Sequence, residues 1–249
     1  MTGPSVRLGI LWFFVALAVV TAGRWPTALL WGCTAVIAGR EVVIAWWSTL
    51  AGAASMPPPM VLIGTMVLSV STPIAAALGT GFAGGILGLV VTALVVVGVA
   101  ARSGAIDLTG SEAAAMATAV LLPTIPATAV VLVTAASVWA GIFLVAAVSF
   151  YDAGYHIGAA ESSSLLEGPV TGIVGLAAVT FTMAIFQAPP FDTAAAAIVG
   201  CACAVACPLG QWVTSALLPD PDARRRAVGR LDAYVVAAPV FLAAVWAVT

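Results

Sequence analysis

Apolar runs of about 20 residues, separated by short stretches of glycine, proline or charge, recur along the whole of this chain. A helix of about 20 residues is long enough to cross the roughly 30 Å hydrocarbon layer of a bilayer. Of the 249 residues, 63% are hydrophobic and 7% are charged, whereas roughly a quarter of the residues of a typical soluble domain are charged. The sequence therefore predicts an all-α integral membrane protein and excludes a soluble domain.

Nine apolar segments predict nine transmembrane helices in a single transmembrane domain, 1–249. The segments are 8–23, 27–49, 58–78, 82–101, 112–124, 127–150, 168–188, 192–218 and 232–248. The fifth is short and precedes Pro123 and Pro126, so we expect a short, tilted or re-entrant helix there. The first segment lacks a cleavage site before a polar mature region, so we expect a transmembrane helix and not a removed leader. The domain divides into an N-terminal helical half, about 1–126, and a motif-bearing half, about 127–249.

The arginines predict the orientation of the chain, because loops rich in positive charge stay in the cytoplasm. With nine crossings and a cytoplasmic N-terminus, the cytoplasmic side receives Arg7, Arg102, Arg224, Arg225, Arg226 and Arg230, while Arg24 lies on the other side. We therefore expect a multi-pass protein of the cell (inner) membrane. The net charge of −2 and the lack of lysine give no attraction to nucleic acid, so no nucleic-acid partner is expected.

The stretch 151–169 is a polar interruption between two apolar segments. It contains Asp152, just after the end of one predicted apolar helix, and Glu167 at the start of the next. Asp232 similarly opens the last segment, close to Arg230. Each residue alone has an ordinary interpretation, as a helix cap, a partner of the helix dipole or half of an interfacial ion pair. Their order along the chain is more informative than any one of them.

That order resembles the motifs of the phosphatidate cytidylyltransferase (CDP-diacylglycerol synthase) family. The run Asp152-Ala153-Gly154-Tyr155, then Gly158, then Glu167-Gly168-Pro169 with Gly172, is similar to the family's D-x-x-A-Y, G and K-T-x-E-G-x-x-G series. The run Gly210-Gln211-Trp212-Val213-Thr214-Ser215 is similar to G-D-L-x-E-S. Gly229-Arg230-Leu231-Asp232, before Ala237-Ala238-Pro239, is similar to the D-R-x-D ending. The resemblance covers roughly the last hundred residues in matching order.

The resemblance implies the family's membrane fold and the transfer of a cytidylyl group from CTP to phosphatidic acid at the cytoplasmic leaflet. Asp152 and Asp232 would then hold Mg²⁺, which neutralises the phosphate charges that the reaction brings together. Arg230 would be a bidentate donor to phosphate, and Glu167 and Gly168 would shape the nucleotide side. The other positions expected to contact nucleotide or lipid are Tyr155, Gly158, Gly210, Gln211, Ser215, Arg224, Arg225 and Arg226.

Departures from the family pattern keep two alternatives open. Gln211 and Thr214 stand where the family has acidic residues, and Gly229 replaces the first aspartate of D-R-x-D. These changes suit a non-catalytic homologue that binds lipid or nucleotide as a subunit or regulator of another membrane enzyme. A transporter is the third hypothesis, since helices broken by glycine and proline line substrate paths. Small-residue helix faces also allow a homodimer.

Three further features have ordinary explanations. His156, the single histidine, is most simply a bystander near the interface. Cys203 and Cys207 lie one helical turn apart without the spacing of a zinc site, which predicts helix packing. Arg40 and Glu41 fall in the second segment, where a charge at mid-bilayer costs about 2.5–3.5 kcal/mol. We expect either that this helix extends past the membrane surface or that one of these two residues lines the pocket that the motif residues would form.

Overall fold

The computed structural model describes residues 4–52, 55–160, 166–219 and 228–248, apart from the side chains of 4–8 and Arg230. Within these ranges the chain is all-helical, with 87% of residues in helices and no strand. The helices are α1 (Pro4–Thr21), α2 (Arg24–Leu50), α3 (Pro59–Leu78), α4 (Thr80–Ser103), α5 (Gly110–Ala136), α6 (Val138–Ala159), α7 (Glu167–Phe186), α8 (Thr193–Leu217) and α9 (Tyr234–Val248), with a 3₁₀ turn at Val228–Arg230.

Seven of these helices, α2 to α8, are long and apolar enough to cross a membrane. The described apolar parts of the two outer helices, Gly9–Thr21 and Tyr234–Val248, are shorter. One cluster of buried apolar side chains includes residues from all nine helices of the described chain. The prediction of an all-α, multi-pass membrane protein is therefore confirmed, and nine crossings remain a prediction.

The predicted division between the fifth and sixth segments is wrong. Helix α5 is one continuous helix of 27 residues that contains both Pro123 and Pro126. The chain breaks instead at Ser137, whose hydroxyl caps α6 by accepting a hydrogen bond from the Ala140 N–H at 3.4 Å. Of the most apolar stretch of α5, 72% is buried, more than in any other of the seven long helices. Packing from neighbouring helices stabilises prolines that would end an isolated helix.

Proline also shapes the contact between α3 and α5. Pro73 lies inside α3 and has no N–H, so the carbonyl of Ser69 loses its usual helical donor. The hydroxyl of Thr124 on α5 donates to this carbonyl at 3.4 Å. A polar group freed by one helix is thus satisfied by a neighbour, as a bilayer interior requires.

Contacts between helix ends show which ends share a side of the bundle. The indole N–H of Trp46 donates to the carbonyl of Leu217 at 3.2 Å, so the C-terminal ends of α2 and α8 lie together. Gly210 packs against the backbone of Asp232, which brings the start of α9 to the same half of the bundle. At the opposite side, the Ser137 hydroxyl donates to the carbonyl of Pro189 at 3.1 Å. We call the side with the C-terminal ends of α2, α6 and α8 the motif side.

Candidate functional site

The helices α6 and α7 form an antiparallel hairpin with the most extensive helix–helix contact in the described chain. Four glycines at small-xxx-small spacing line it, namely Gly154 and Gly158 in α6 and Gly168 and Gly172 in α7. A Cβ added at Gly154 would overlap the backbone carbonyl of Thr171. A Cβ added at Gly172 would lie 2.8 Å from the ring of Tyr151. Only glycine allows the two backbones to approach this closely.

Two of these glycines, Gly158 and Gly168, were predicted to contact nucleotide. Gly158 lies against the Thr171 hydroxyl and the Glu167 carbonyl, and Gly168 lies against the ring of Tyr155. Close packing between α6 and α7 therefore explains both glycines without a ligand. Their contact with nucleotide stays a prediction.

Substitution of Gly154 by alanine is expected to destabilise the protein by about 1–3 kcal/mol, the usual cost of overpacking a filled contact. The obstructing atoms belong to the backbone of α7 and cannot rotate away. Thermal unfolding in detergent would measure the loss. Gly98→Ala on α4 is the matched control, because a Cβ there meets nothing within 4 Å. Equal melting temperatures for the two variants would contradict the close approach of α6 and α7.

The hairpin fixes Tyr151, which is fully buried. The Tyr151 hydroxyl donates to Oε1 of Gln211 on α8 at 3.3 Å. Gln211 is itself buried, with 7% of its surface exposed. Buried polar side chains in a membrane bundle are expensive unless they are paired. Tyr151 and Gln211 therefore connect the hairpin to α8 within an otherwise apolar core.

Asp152 and Asp232 belong to the chain segments that this connection joins. Asp152 follows Tyr151, and the backbone of Asp232 packs against Gly210, the residue before Gln211. Both carboxylates also lie within electrostatic range of the Tyr151 hydroxyl. Asp232 is 5% exposed, and its Oδ1 accepts a hydrogen bond from the Ala233 N–H at 2.8 Å. The structure therefore brings two acidic residues from separate parts of the chain to one polar region, where Asp232 is buried and Asp152 is half-buried. We call Tyr151, Asp152, Gln211 and Asp232 the polar cluster.

Two hydroxyls beside the polar cluster are buried without a hydrogen bond in the described chain. One is Thr214 Oγ1, one helical turn beyond Gln211. The other is the Tyr234 hydroxyl, which makes no hydrogen bond of good geometry although Ser149 lies close to it. Asp152 is also within electrostatic range of Tyr234. Unsatisfied groups of this kind are rare in folded proteins and are commonly met by a ligand or an ordered water.

The polar cluster lies below the helix ends. Asp152 lies about 10 Å from the last residue of α6, Ala159, measured along the helix axis at 1.5 Å per residue. Gln211 is similarly recessed from the end of α8. The remaining candidates stand nearer the motif-side ends: Glu167 and Ser215 are exposed, and Tyr155 is half-buried. The predicted site residues therefore lie at two depths. The polar cluster forms an inner level, and Tyr155, Glu167 and Ser215 form an outer level nearer the helix ends.

The four arginines predicted at the site are not placed by the structure. Arg224, Arg225 and Arg226 lie outside the described residues, and the side chain of Arg230 is also outside them. The backbone of the 3₁₀ turn that contains Arg230 lies against α2. The roles of all four arginines stay predictions.

The donor set suits Mg²⁺ only as part of a complex with substrate. Within the described ranges, no group of three or more His, Cys, Asp or Glu side chains could hold a metal ion. Asp152 and Asp232 supply carboxylate oxygens, and Gln211 adds an amide oxygen. Mg²⁺ is commonly held by one or two carboxylates together with substrate phosphates and water. The oxygen donors of the polar cluster are thus of the type that Mg²⁺ takes together with a polyphosphate, and Mg²⁺ binding stays a prediction.

A cavity of about 390 Å³ lies elsewhere on the motif side, between the end of α4 and the start of α5. Asp107 and Glu112 provide its acidic lining. Glu112 already closes a capping box with Thr109, whose N–H donates to Glu112 Oε2 at 2.7 Å. Helix capping therefore accounts for this carboxylate without a ligand.

Comparison with known protein families finds no match for this chain, and comparison with curated proteins finds none either. The resemblance to the cytidylyltransferases therefore rests on the motif residues and their order.

Proposed function

We propose that the protein is a divergent phosphatidate cytidylyltransferase-like membrane protein. Its substrates are CTP and phosphatidic acid, and its products are CDP-diacylglycerol and pyrophosphate. The observation that carries the proposal is that the Tyr151–Gln211 hydrogen bond and the contact of Gly210 with the Asp232 backbone bring together the chain segments of Asp152 and Asp232. These are the two acidic positions that the family motifs select, and they come from opposite ends of the motif-bearing half.

In the proposed reaction, an oxygen of the lipid phosphate attacks the α-phosphorus of CTP. A new P–O bond forms to that atom, and the bond to pyrophosphate breaks, so that pyrophosphate leaves with the electron pair. Bound Mg²⁺ would supply neutralisation of the crowded phosphate charges. Asp152 and Asp232 would hold it, and the Tyr151 hydroxyl orients the Gln211 amide beside them.

The outer level of the site has a different task in this proposal. Glu167 and Gly168 shape the nucleotide side at the start of α7, together with Tyr155, Gly158 and Ser215, while Gly210 lies deeper, against the backbone of Asp232. Arg230 donates to phosphate, while Arg224, Arg225 and Arg226 attract the anionic substrates. The motif side then faces the cytoplasm. All nine helices lie in the inner membrane of the cell.

A second function, a non-catalytic subunit or regulator that binds the same ligands, is favoured by one observation. The Gln211 amide is neutral and already accepts a hydrogen bond from Tyr151, and the buried Thr214 hydroxyl adds no charge. Two acidic groups of the family site are thus missing. Transfer of label from CTP to phospholipid by purified protein with Mg²⁺ separates the hypotheses: a catalyst forms labelled lipid, and a binding homologue retains CTP without product.

A further inference from the structure

The helix α2 has a buried face and an outward face. The residues on its buried face include Trp31, Ala35, Ala38 and Val42, all fully buried. Its outward face carries Leu29, Cys33, Ile37 and Arg40, all of them exposed. This outward stripe is apolar except at Arg40. Because Ala38 and Val42 face the turn at Val228 and Leu231, Arg40 points away from the polar cluster and does not line it.

Two tryptophans locate Arg40 relative to the membrane. Trp25 and Trp46 are separated along α2 by about 30 Å at 1.5 Å per residue, which equals the thickness of the hydrocarbon layer. Tryptophans concentrate at both interfaces of such a layer. The Cα of Arg40 therefore lies about 9 Å inside the level of Trp46. The helix continues to Leu50, so its last turn extends beyond the interface on the motif side.

Arg40 has no partner of its own in the described chain, where its guanidinium makes no ion pair or hydrogen bond. The guanidinium carries a positive charge and five N–H donors. A cation on the lipid-facing surface is stabilised when its long side chain bends toward the interface and meets phosphate groups. From this depth the side chain can bend toward the phosphate groups of phospholipids in the same leaflet.

We propose that Arg40 binds the phosphate of an anionic phospholipid on the outward face of α2, in the leaflet of the motif side. The lipid lies with its chains along Cys33 and Ile37 and its phosphate above Arg40, at the level of Trp46. This site is on the opposite face of α2 from the polar cluster, so it is independent of the proposed catalytic function.

The test is retention of phosphatidylglycerol by the full chain in mixed phosphatidylcholine–phosphatidylglycerol nanodiscs, read by native mass spectrometry. Arg40→Gln is expected to weaken retention about tenfold, as loss of a charged hydrogen-bonded pair implies. Arg40→Lys should retain part of it, since lysine also reaches the interface but lacks the bidentate fork. Cys33→Ala, an uncharged change on the same outward face, is the matched control and should retain the lipid as the natural chain does. Equal retention by Arg40→Gln and Cys33→Ala would overturn the proposal.

Two further measurements separate the lipid from other anions. Inorganic phosphate should not displace the bound lipid; displacement at low phosphate concentration would indicate a site for free phosphate. A spin label on Cys33, in a chain with the other exposed cysteine changed by Cys201→Ser, should show the high oxygen accessibility of a lipid-facing position. Low accessibility would mean that protein covers this face, and it would overturn the lipid assignment.

Discussion

Asp232→Asn is expected to lower Mg²⁺-dependent transfer of label from CTP to phospholipid by at least about 100-fold, since metal charge stabilisation is worth several kcal/mol. The substitution keeps the size and hydrogen-bonding oxygen of the side chain but removes one of the two charges of the polar cluster. Asp152→Asn should have a loss of the same order. The measurement is labelled lipid formed by purified protein in phosphatidic acid vesicles, with and without Mg²⁺.

The matched control is Asp192→Asn on the opposite side of the bundle. Asp192 caps α8 by accepting a hydrogen bond from the Ala195 N–H at 2.7 Å, and asparagine caps helices equally well. This variant should keep full activity. Labelled lipid formed at the same rate by the Asp232→Asn and Asp192→Asn proteins would remove the basis of the proposal, and no product with any acidic phospholipid would leave the binding homologue as the better hypothesis.

The helices could be predicted because their apolar runs are long and the charges between them are few. Every predicted segment overlaps a helix of the described chain, although the fifth and sixth are divided wrongly. Pro123 and Pro126 are strong local signals for a helix end, and the sequence does not show that α5 will be surrounded by other helices. Tertiary burial overrides the local preference there, and the break moves to Ser137.

The site could be predicted in part, because a carboxylate is costly in an apolar chain and therefore conspicuous. Gln211 bonds to Tyr151, which precedes Asp152, and the backbone of Asp232 packs against Gly210, while the role of these residues as a functional site stays a prediction. Tyr151, Thr214 and Tyr234 were not predicted as site residues. Hydroxyl side chains are common in membrane helices, so only their burial and missing partners make Thr214 and Tyr234 noticeable.

The glycines of the motifs show a second limit on predicting the site from the sequence. The match of these glycines to the family motifs suggested ligand contacts. In the structure they allow α6 to pack closely against α7. The signal was present in the sequence, because Gly154 with Gly158 and Gly168 with Gly172 both have the small-xxx-small spacing of close helix pairs. Close packing and ligand contact are compatible, since the hairpin that the glycines close is also what holds Tyr151 beside Gln211.

Restoring the acidic pair by Gln211→Asp with Thr214→Glu is expected to make the protein strongly dependent on Mg²⁺. Both positions are buried, and additional unpaired charges there cost several kcal/mol. Without Mg²⁺ the double variant should therefore melt well below the natural chain. Saturating Mg²⁺ should restore most of that loss, because a divalent cation neutralises the added carboxylates. Thermal unfolding across a Mg²⁺ titration gives both quantities.

The neutral pair Gln211→Asn with Thr214→Gln is the matched control, since it has the same side-chain sizes without the charges. Its melting temperature should not respond to Mg²⁺ more than that of the natural chain does. If the acidic pair also raises label transfer from CTP by about tenfold or more, the natural site is a weakened catalytic site. If Mg²⁺ stabilises the neutral and acidic pairs equally, the ion acts away from these positions, and the polar cluster is then a structural feature that joins α6 to α8 and not a metal site.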